Sequence, residues 1–203
     1  KRPMKLHYSP ASPYVRKVMV CAIARGIAGL LEKVSTNPHQ SPADLLADNP
    51  LSKVPALVTN DGIAIYDSPV ICEYLDSVGD GPKMFPPAGP ARWKALRQEA
   101  LGDGILDATQ PRRREIALPQ DEGRQTYIAL QQGKVKAALA VLEAEADGLG
   151  MLTTIGEITI ACALGYMDFR YPNEPWRPGH PKLEAWYAKV SAMPAMARTA
   201  PPG

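Results

Sequence analysis

The spacing of apolar residues changes period near residue 12. Residues 4–8, MKLHY, alternate apolar and polar side chains, which predicts a short strand. Ser12 then suits a helix N-cap, and Pro13 suits the first helical position. Over residues 15–23 the apolar side chains recur at the spacing of one buried helix face, and Gly26 ends the pattern. The chain is therefore expected to pass from a strand directly into an amphipathic helix.

Short β-type runs and a second Ser-Pro entry follow. The further predicted strands are 30–36, 55–59 and 63–66, with a helical turn expected at 42–47. The tripeptide Asn60-Asp61-Gly62 is a hairpin signal. Ser68 is expected to cap a helix that Gly79 stops, with a buried stripe of Val70, Ile71, Tyr74, Leu75 and Val78. The order β-α-β, then β-β-α, predicts a thioredoxin-like α/β domain.

The second half of the chain is helical in pattern. A connector rich in Gly and Pro spans 79–90, and the predicted helices after it are 91–110, 124–147, 155–170 and 181–193. Residues 155–170 are apolar nearly all round, which predicts the buried centre of an all-α domain. Thr154 and Glu157 have capping-box spacing. The predicted buried stripe of the first of these helices is Trp93, Leu96, Ala100, Leu101, Ile105 and Leu106. We expect a first domain over 1–79, a linker over 80–90 and a second domain over 91–203.

Composition narrows the functional classes. Apolar residues make up 45%, charged residues 22% and the net charge is +2. These values are ordinary for a folded protein and give no reason to expect nucleic acid or a membrane surface as partner. The cysteines Cys21, Cys72 and Cys162 are odd in number and far apart, which argues against disulfides or a metal site and favours a cytoplasmic location.

Three local patterns carry candidate chemistry, and each has a structural alternative. Pro55 most commonly would be a trans proline that begins a strand, whereas a cis Val54–Pro55 bond would turn the backbone of Val54 outward toward an extended peptide. Asp67 and Ser68 at a helix start offer partners for the ammonium and carboxylate of an amino acid. Ser12 can donate its hydroxyl to an anion at the end of the first strand. Both serines could instead be plain helix caps.

Taken together, the patterns resemble the cytosolic glutathione transferases. The order of strand, Ser-Pro helix, Val-Pro strand, hairpin and Asp-Ser helix resembles their N-terminal domain. Three segments resemble the family's long fourth helix, its capping-box helix and its C-terminal segment: GPARWKALRQEALGDGILDA (89–108), TIGEITIACALGYMDFR (154–170) and WRPGHPKLEAWYAKVSAMPAM (176–196). The resemblance covers almost the whole chain and is nearest to bacterial members that use serine at the thiol.

The resemblance implies a glutathione transferase with glutathione as co-substrate and without a metal or other cofactor. Ser12 lies four residues before Arg16, as the family's catalytic serine does before its arginine, and would stabilise the thiolate; Ser9 is the second candidate. The residues expected at glutathione are His39, Lys53, Val54, Pro55, Asp67 and Ser68, with His39 and Lys53 as alternatives for the glycyl carboxylate. Those expected at the electrophile are Ala11, Ile105 and Arg112.

The resemblance also implies a homodimer with a role in detoxification of small hydrophobic electrophiles. Two other activities stay open: glutathione-dependent peroxidase or reductase chemistry, and ligand binding without catalysis. Some positions depart from the family pattern. Ser52 replaces a common glycine, Thr153 replaces an apolar residue, and Pro111 is expected to interrupt the fourth helix. The block Arg112–Arg114 reads in isolation as a solvated helix face.

Overall fold

The computed structural model describes residues 3–202, which form four strands and eight α-helices. The strands are β1 (Met4–Tyr8), β2 (Leu31–Ser35), β3 (Ala56–Val58) and β4 (Ala64–Ile65). The helices are α1 (Pro13–Ala24), α2 (Ala43–Asp48), α3 (Ser68–Asp76), α4 (Gly89–Ile116), α5 (Glu122–Glu145), α6 (Ile155–Arg170), α7 (Pro181–Ser191) and α8 (Pro194–Ala197). The predicted element order is confirmed. The domain boundaries stay a prediction, and their outermost residues, 1, 2 and 203, lie outside the described range.

The four strands form one mixed sheet in the order β2-β1-β3-β4. β1 and β2 are parallel and are joined through α1, while β3 pairs antiparallel with both β1 and β4. A parallel pair cannot be closed by a tight turn, so the helix between β1 and β2 serves as the crossover. The first part of the chain therefore has the expected thioredoxin-like arrangement.

Alternation along β1 determines what each face of the sheet contacts. Met4 and Leu6 point to one side and belong to the main hydrophobic cluster. His7 points to the other side and is fully buried. Its Nε2 lies 2.7 Å from a carboxylate oxygen of Asp48 in α2, and its Nδ1 lies 3.1 Å from the hydroxyl of Thr36. α2 is thereby attached to the sheet by a polar contact.

Helix α6 is the buried centre of the helical part, as predicted, and α4 crosses it at close range. Two glycines make the crossing possible. A Cβ on Gly102 would lie 2.8 Å from Cγ2 of Thr159, and a Cβ on Gly156 would lie 2.6 Å from Cβ of Gln98. Both distances are below van der Waals contact, so the two helix backbones can approach this closely only with glycine at these positions.

The buried face of α4 differs from the predicted stripe. Trp93 is 67% exposed and Ala100 is also exposed, because the close crossing with α6 uses the small and polar face that contains Ala95, Gln98 and Gly102. Ile105 and Leu106 are buried as predicted. Because of the contact with α6, the buried face of α4 is rotated away from Trp93.

The prediction that Pro111 interrupts α4 is wrong. The helix continues through Pro111 to Ile116. A proline removes the hydrogen bond to the carbonyl four residues earlier, but contacts on either side hold this turn. Tyr171 donates its hydroxyl to the carbonyl of Thr109, and Arg112 is paired with Glu174 at 3.0 Å. Arg112 is accordingly buried, so the solvated-face reading holds only for Arg113 and Arg114.

The start of α3 also differs from expectation. Its N-cap is Asp67, which makes no side-chain capping bond, and Ser68 is the first residue inside the helix. Ser68 is buried because it packs beside Lys17 of α1, whereas the predicted core residue Val70 is 51% exposed. The buried residues Ile71, Cys72 and Leu75 show that the helix faces the core through one narrower stripe.

The capping box at α6 is confirmed and is more extensive than its spacing predicted. The Thr154 hydroxyl accepts from the backbone N–H of Glu157 at 3.3 Å. The Glu157 carboxylate accepts from the backbone N–H groups of Gly150, Thr153 and Thr154 and from the Thr153 hydroxyl. Thr153 stands where the family has an apolar residue, and it donates both its N–H and its hydroxyl to the Glu157 carboxylate. A single buried side chain organises the turn before the central helix.

Substitutions at this box are expected to affect stability. Thr154→Ala removes one capping bond and should lower the free energy of unfolding by about 0.5–2 kcal/mol. Glu157→Gln should cost more, because it removes the charge that strengthens four hydrogen bonds. Urea unfolding midpoints would measure both. Thr126→Ala, at an exposed position in α5, is the matched control. A loss in Glu157→Gln no larger than in that control would contradict this account.

Candidate active site

The register of the sheet brings Ser12 and the segments predicted to bind glutathione to one edge. Tyr8, the last residue of β1, pairs with Ser35, so the chain that leads to His39 leaves β2 at the same end as the chain that leads to Ser12. β3 runs antiparallel to β1, and its first residue, Ala56, pairs with His7; Val54 and Pro55 therefore precede it at that end. β4 ends opposite the start of β3, so Asp67 and Ser68 follow at the same edge.

Ser12 is the N-cap of α1. Its hydroxyl oxygen accepts from the backbone N–H of Val15 at 3.2 Å, and its own N–H donates to the carbonyl of Ser9 at 3.2 Å. Since the oxygen is the acceptor in the cap, the hydroxyl proton is left to donate to another group. The helix start adds a partial positive charge there. The half-buried Ser12 can thus stabilise an anion without giving up its capping bond.

Two nearby residues compare poorly with Ser12 for that role. Ser9 lies in the turn before α1 and has no helix terminus behind its hydroxyl. Cys162 of α6 lines a small cavity with Ser12, but burial raises the pKa of its thiol to about 11. Cys162 is therefore a neutral thiol near pH 7 and a weak nucleophile.

The backbone of the segment before β3 is only partly hydrogen-bonded. The Val54–Pro55 peptide bond is cis, the less common of the two alternatives. Among the described residues, none bonds the N–H or the carbonyl of Val54. Lys53 is exposed beside it, and its carbonyl accepts from the side chain of Asn49 at 3.0 Å. This leaves a free peptide edge next to a lysine.

Ser52 occupies a position where the family commonly has glycine. Its φ of 54° is in the left-handed region that favours glycine. Its hydroxyl donates to the carbonyl of Pro38 at 2.9 Å and lies 2.7 Å from the hydroxyl of Ser41. These contacts hold the turn that carries the exposed His39 against the segment that carries Lys53. His39 and Lys53, the two candidates for binding the glycyl carboxylate of glutathione, therefore lie on connected loops.

A buried ion cluster lies beneath Ser68, and the sequence analysis did not identify it. The ammonium of Lys17 is fully buried in α1. It lies 2.9 Å from carboxylate oxygens of both Glu99 and Asp103 in α4, and 3.4 Å from the Ser68 hydroxyl. One side chain thus connects α1, the start of α3 and α4. The available signal was weak: Lys17 lies opposite the predicted apolar face of its helix, and only the i, i+4 spacing of Glu99 and Asp103 indicated a pair.

Burial and neighbouring charges have opposite effects on the pKa values in this cluster. Burial prevails at Asp103 and raises its pKa from 3.8 to about 6, against the opposing effect of Lys17. Burial alone would lower the pKa of Lys17, but the negative charges around it outweigh burial and raise that pKa. The ammonium is therefore charged throughout the neutral range, while one of its partners gains a proton in mild acid.

Two cavities adjoin Ser12. The smaller, of about 10 Å³, is lined by Ala11, Ser12 and Cys162 among others. The larger, of about 420 Å³, lies between α1, β2 and residues 198–200. Ile105 and Arg112 line neither; both are packed within the helical part. Ala11 is thus beside the proposed thiol position, and a pocket role for Ile105 and Arg112 stays a prediction.

Two further features of residues 3–202 bear on partners. No helix among them is both long and apolar enough to span a membrane. No group of three or more His, Cys, Asp or Glu side chains within that range is arranged to hold a metal ion.

Family models match both parts of the chain. The model for the glutathione S-transferase N-terminal domain matches residues 11–78. The model for the glutathione S-transferase C-terminal domain matches residues 116–189. The two matches follow each other in the order that the fold shows.

Individual relatives match over nearly the full length. An uncharacterized GST-like protein of Escherichia coli K12, YibF, is 35% identical over 98% of this chain and 99% of its own. A glutathione transferase family member from Pseudomonas fluorescens Pf-5, with bound glutathione, is 44% identical with a TM-score of 0.89, covering 98% of this chain and all of that one. A second structure from that organism contains S-(propanoic acid)-glutathione, at 42% identity, a TM-score of 0.86 and the same coverage.

The Asp103 cluster predicts a specific dependence of stability on pH. Between pH 3.8 and about 6 the folded chain retains a proton on Asp103 that the unfolded chain has released. This contribution to stability is present in full below pH 3.8 and is lost as the pH rises to about 6. Asp103→Asn cannot ionise, so its free energy of unfolding should rise relative to the unmodified chain across that window. Urea titrations across the window measure the difference, with exposed Asp80→Asn as control. A difference independent of pH would refute the assignment.

Proposed function

Because the chain belongs to the glutathione S-transferase family, we propose that it is a glutathione transferase in which Ser12 stabilises the glutathione thiolate. The observation that carries the proposal is the convergence of Ser12, the free Val54 backbone and the start of α3 on one edge of the sheet. Glutathione is an extended tripeptide with charged ends and a central thiol. It therefore requires a backbone edge between two charge-binding positions.

The proposed docking follows the order of these groups. The backbone of Val54 pairs with the cysteinyl residue of glutathione. Ser68 and the unbonded N–H groups at the start of α3 receive the γ-glutamyl carboxylate, and the exposed Asp67 receives its ammonium. The ammonium of the buried Lys17 lies 3.4 Å from the Ser68 hydroxyl and positions that side chain. Lys53 and His39 are the alternatives for the glycyl carboxylate at the other end.

The chemical step is attack by the thiolate on an electrophilic carbon. A free thiol with a pKa of about 8.5 is only about 3% ionised at pH 7, and lowering that pKa by about two units would make the thiolate the major form. The Ser12 hydroxyl donates to the sulfur, and the dipole of α1 assists it. The sulfur then bonds to carbon. In a substitution the leaving group departs with its electron pair, and in an addition the adduct takes a proton from solvent.

The related structures support glutathione as the ligand more directly than they support the transfer reaction. The Pseudomonas fluorescens family member binds glutathione. A second structure contains glutathione with a propanoic acid group on sulfur, and this supports a site that holds a sulfur-substituted product. For the present chain we propose the same ligand and a small hydrophobic electrophile.

We further propose a two-fold homodimer that acts in the cytoplasm in detoxification. The exposed apolar residues Val70 of α3 and Trp93 of α4 support a second copy as partner. In the family arrangement the first domain of one subunit faces the second domain of the other. Sedimentation equilibrium on the intact chain and on Trp93→Lys tests this assembly.

Ser12→Ala should lower kcat at least tenfold with little change in glutathione affinity. Loss of one hydrogen bond that strengthens in the transition state is worth about 1.4 kcal/mol or more. The same variant should raise the pKa of the bound thiol, which the ultraviolet absorbance of the thiolate reports. Turnover is normalised to folded protein because Ser12 also caps α1. Ser9→Ala is the matched control; loss of turnover in Ser9→Ala alone would move the role to Ser9.

Changes at the start of α3 should instead affect binding. Asp67→Ala and Ser68→Ala should each weaken glutathione binding about fivefold or more, since they contact a charged end of the ligand remote from sulfur. Titration calorimetry measures the affinity, and kcat at saturating glutathione should change little. Asp61→Ala, at an exposed position in the β3–β4 hairpin, is the control. Native affinity in both variants would rule out this docking mode.

A further inference from the structure

The large cavity extends from the proposed thiol position along the side of α1. Ser9 and Ser12 line one part of it, and Ala28 and Gly29 line another. None of the six residues proposed to hold glutathione lines it: His39, Lys53, Val54, Pro55, Asp67 and Ser68. A ligand in this cavity would therefore approach the sulfur without displacing the tripeptide. Its volume of about 420 Å³ is in the range of small-molecule sites.

The cavity has an apolar wall. Val15, Met19 and Ile23 are spaced along one side of α1, and Leu31 of β2 lies across from them. Met19, Ile23 and Leu31 are only partly buried, although Met19 and Leu31 pack beside the main cluster. Apolar surface that protein does not cover gains free energy when an apolar ligand covers it.

The charged residues around this wall are all cations. Arg16, Lys33 and Arg198 line the cavity, and no acidic residue does. Lys33 lies 5.2 Å from the ring centre of Tyr8, and no carboxylate of the described residues is within ion-pair distance of Lys33 or Arg198. Arg16 is held by the carbonyl of Met196 at 2.8 Å and by the Thr199 hydroxyl at 3.2 Å, which are neutral groups. The cavity thus carries positive charge that no side chain around it neutralises.

We infer that this cavity binds a small molecule with an apolar body and one anionic group, a carboxylate or a sulfonate. The body lies against Val15, Met19 and Leu31, and the anion lies toward Lys33 and Arg198. A neutral ligand of the same shape makes the apolar contacts but lacks the attraction to Lys33 and Arg198, so it should bind more weakly. The identification of this ligand as the acceptor of the thiolate rests on the proposed function, whereas its binding does not.

A matched pair of ligands separates charge from shape. Calorimetric titration with 2-naphthoate and with its neutral amide, 2-naphthamide, should show tighter binding of the carboxylate. In the variant Lys33→Gln/Arg198→Gln, 2-naphthoate should bind about fivefold more weakly, while 2-naphthamide should change less than about twofold. The control is Lys189→Gln/Arg114→Gln, which removes two exposed cations outside the cavity. Increasing salt should weaken 2-naphthoate only.

A second variant tests the location. Met19→Trp fills the cavity and should weaken both ligands, while circular dichroism and glutathione affinity stay unchanged. The inference is overturned if 2-naphthoate does not bind, if the two ligands bind equally to the unmodified chain, or if either variant leaves 2-naphthoate affinity intact. A parallel titration with glutathione keeps the two proposals apart. Failure of glutathione alone to bind would refute the proposed function and leave the anion site standing.

Discussion

The buried ammonium of Lys17 is the contact on which the relative positions of the site helices depend. Its carbon chain belongs to α1, its carboxylate partners belong to α4, and its third contact is the first residue of α3. A buried charge is tolerated only with such partners, because loss of the ammonium would leave two carboxylates away from water without a cation. The arrangement therefore couples the helix that carries Ser12 and the helix that begins at Ser68 to the helical part of the chain.

The sheet supplies the other constraint, since its register decides which chain segments meet at one edge. The parallel pair places the ends of β1 and β2 together, and the antiparallel strands bring the start of β3 and the end of β4 to the same place. Four loops distant in sequence thereby form a single surface. Ser52 then connects the turn of His39 to the segment of Lys53. An extended peptide ligand requires such a surface, because its binding groups are spread over its whole length.

Helix α1 has a different role on each side. One side is buried against the ion cluster and the core, and the other borders the cationic cavity. Arg16 holds α8 and the segment after it against this helix through Met196 and Thr199, so residues 198–200 form a wall of the cavity. Ser12, at the start of α1, lies where the sheet edge and the cavity meet. One helix thus borders both the proposed glutathione site and the proposed anion site.

The sequence by itself determined the features that depend on near neighbours. Strand alternation, the Ser12 cap and the Thr154–Glu157 box rest on residues a few positions apart, so their spacing predicted them and the family resemblance with them. Only the tertiary structure decided which face of α4 is buried, that α4 continues past Pro111, and that Lys17 meets Glu99 and Asp103. These outcomes depend on the approach of distant segments, where glycine gaps and ion pairs outweigh local periodicity.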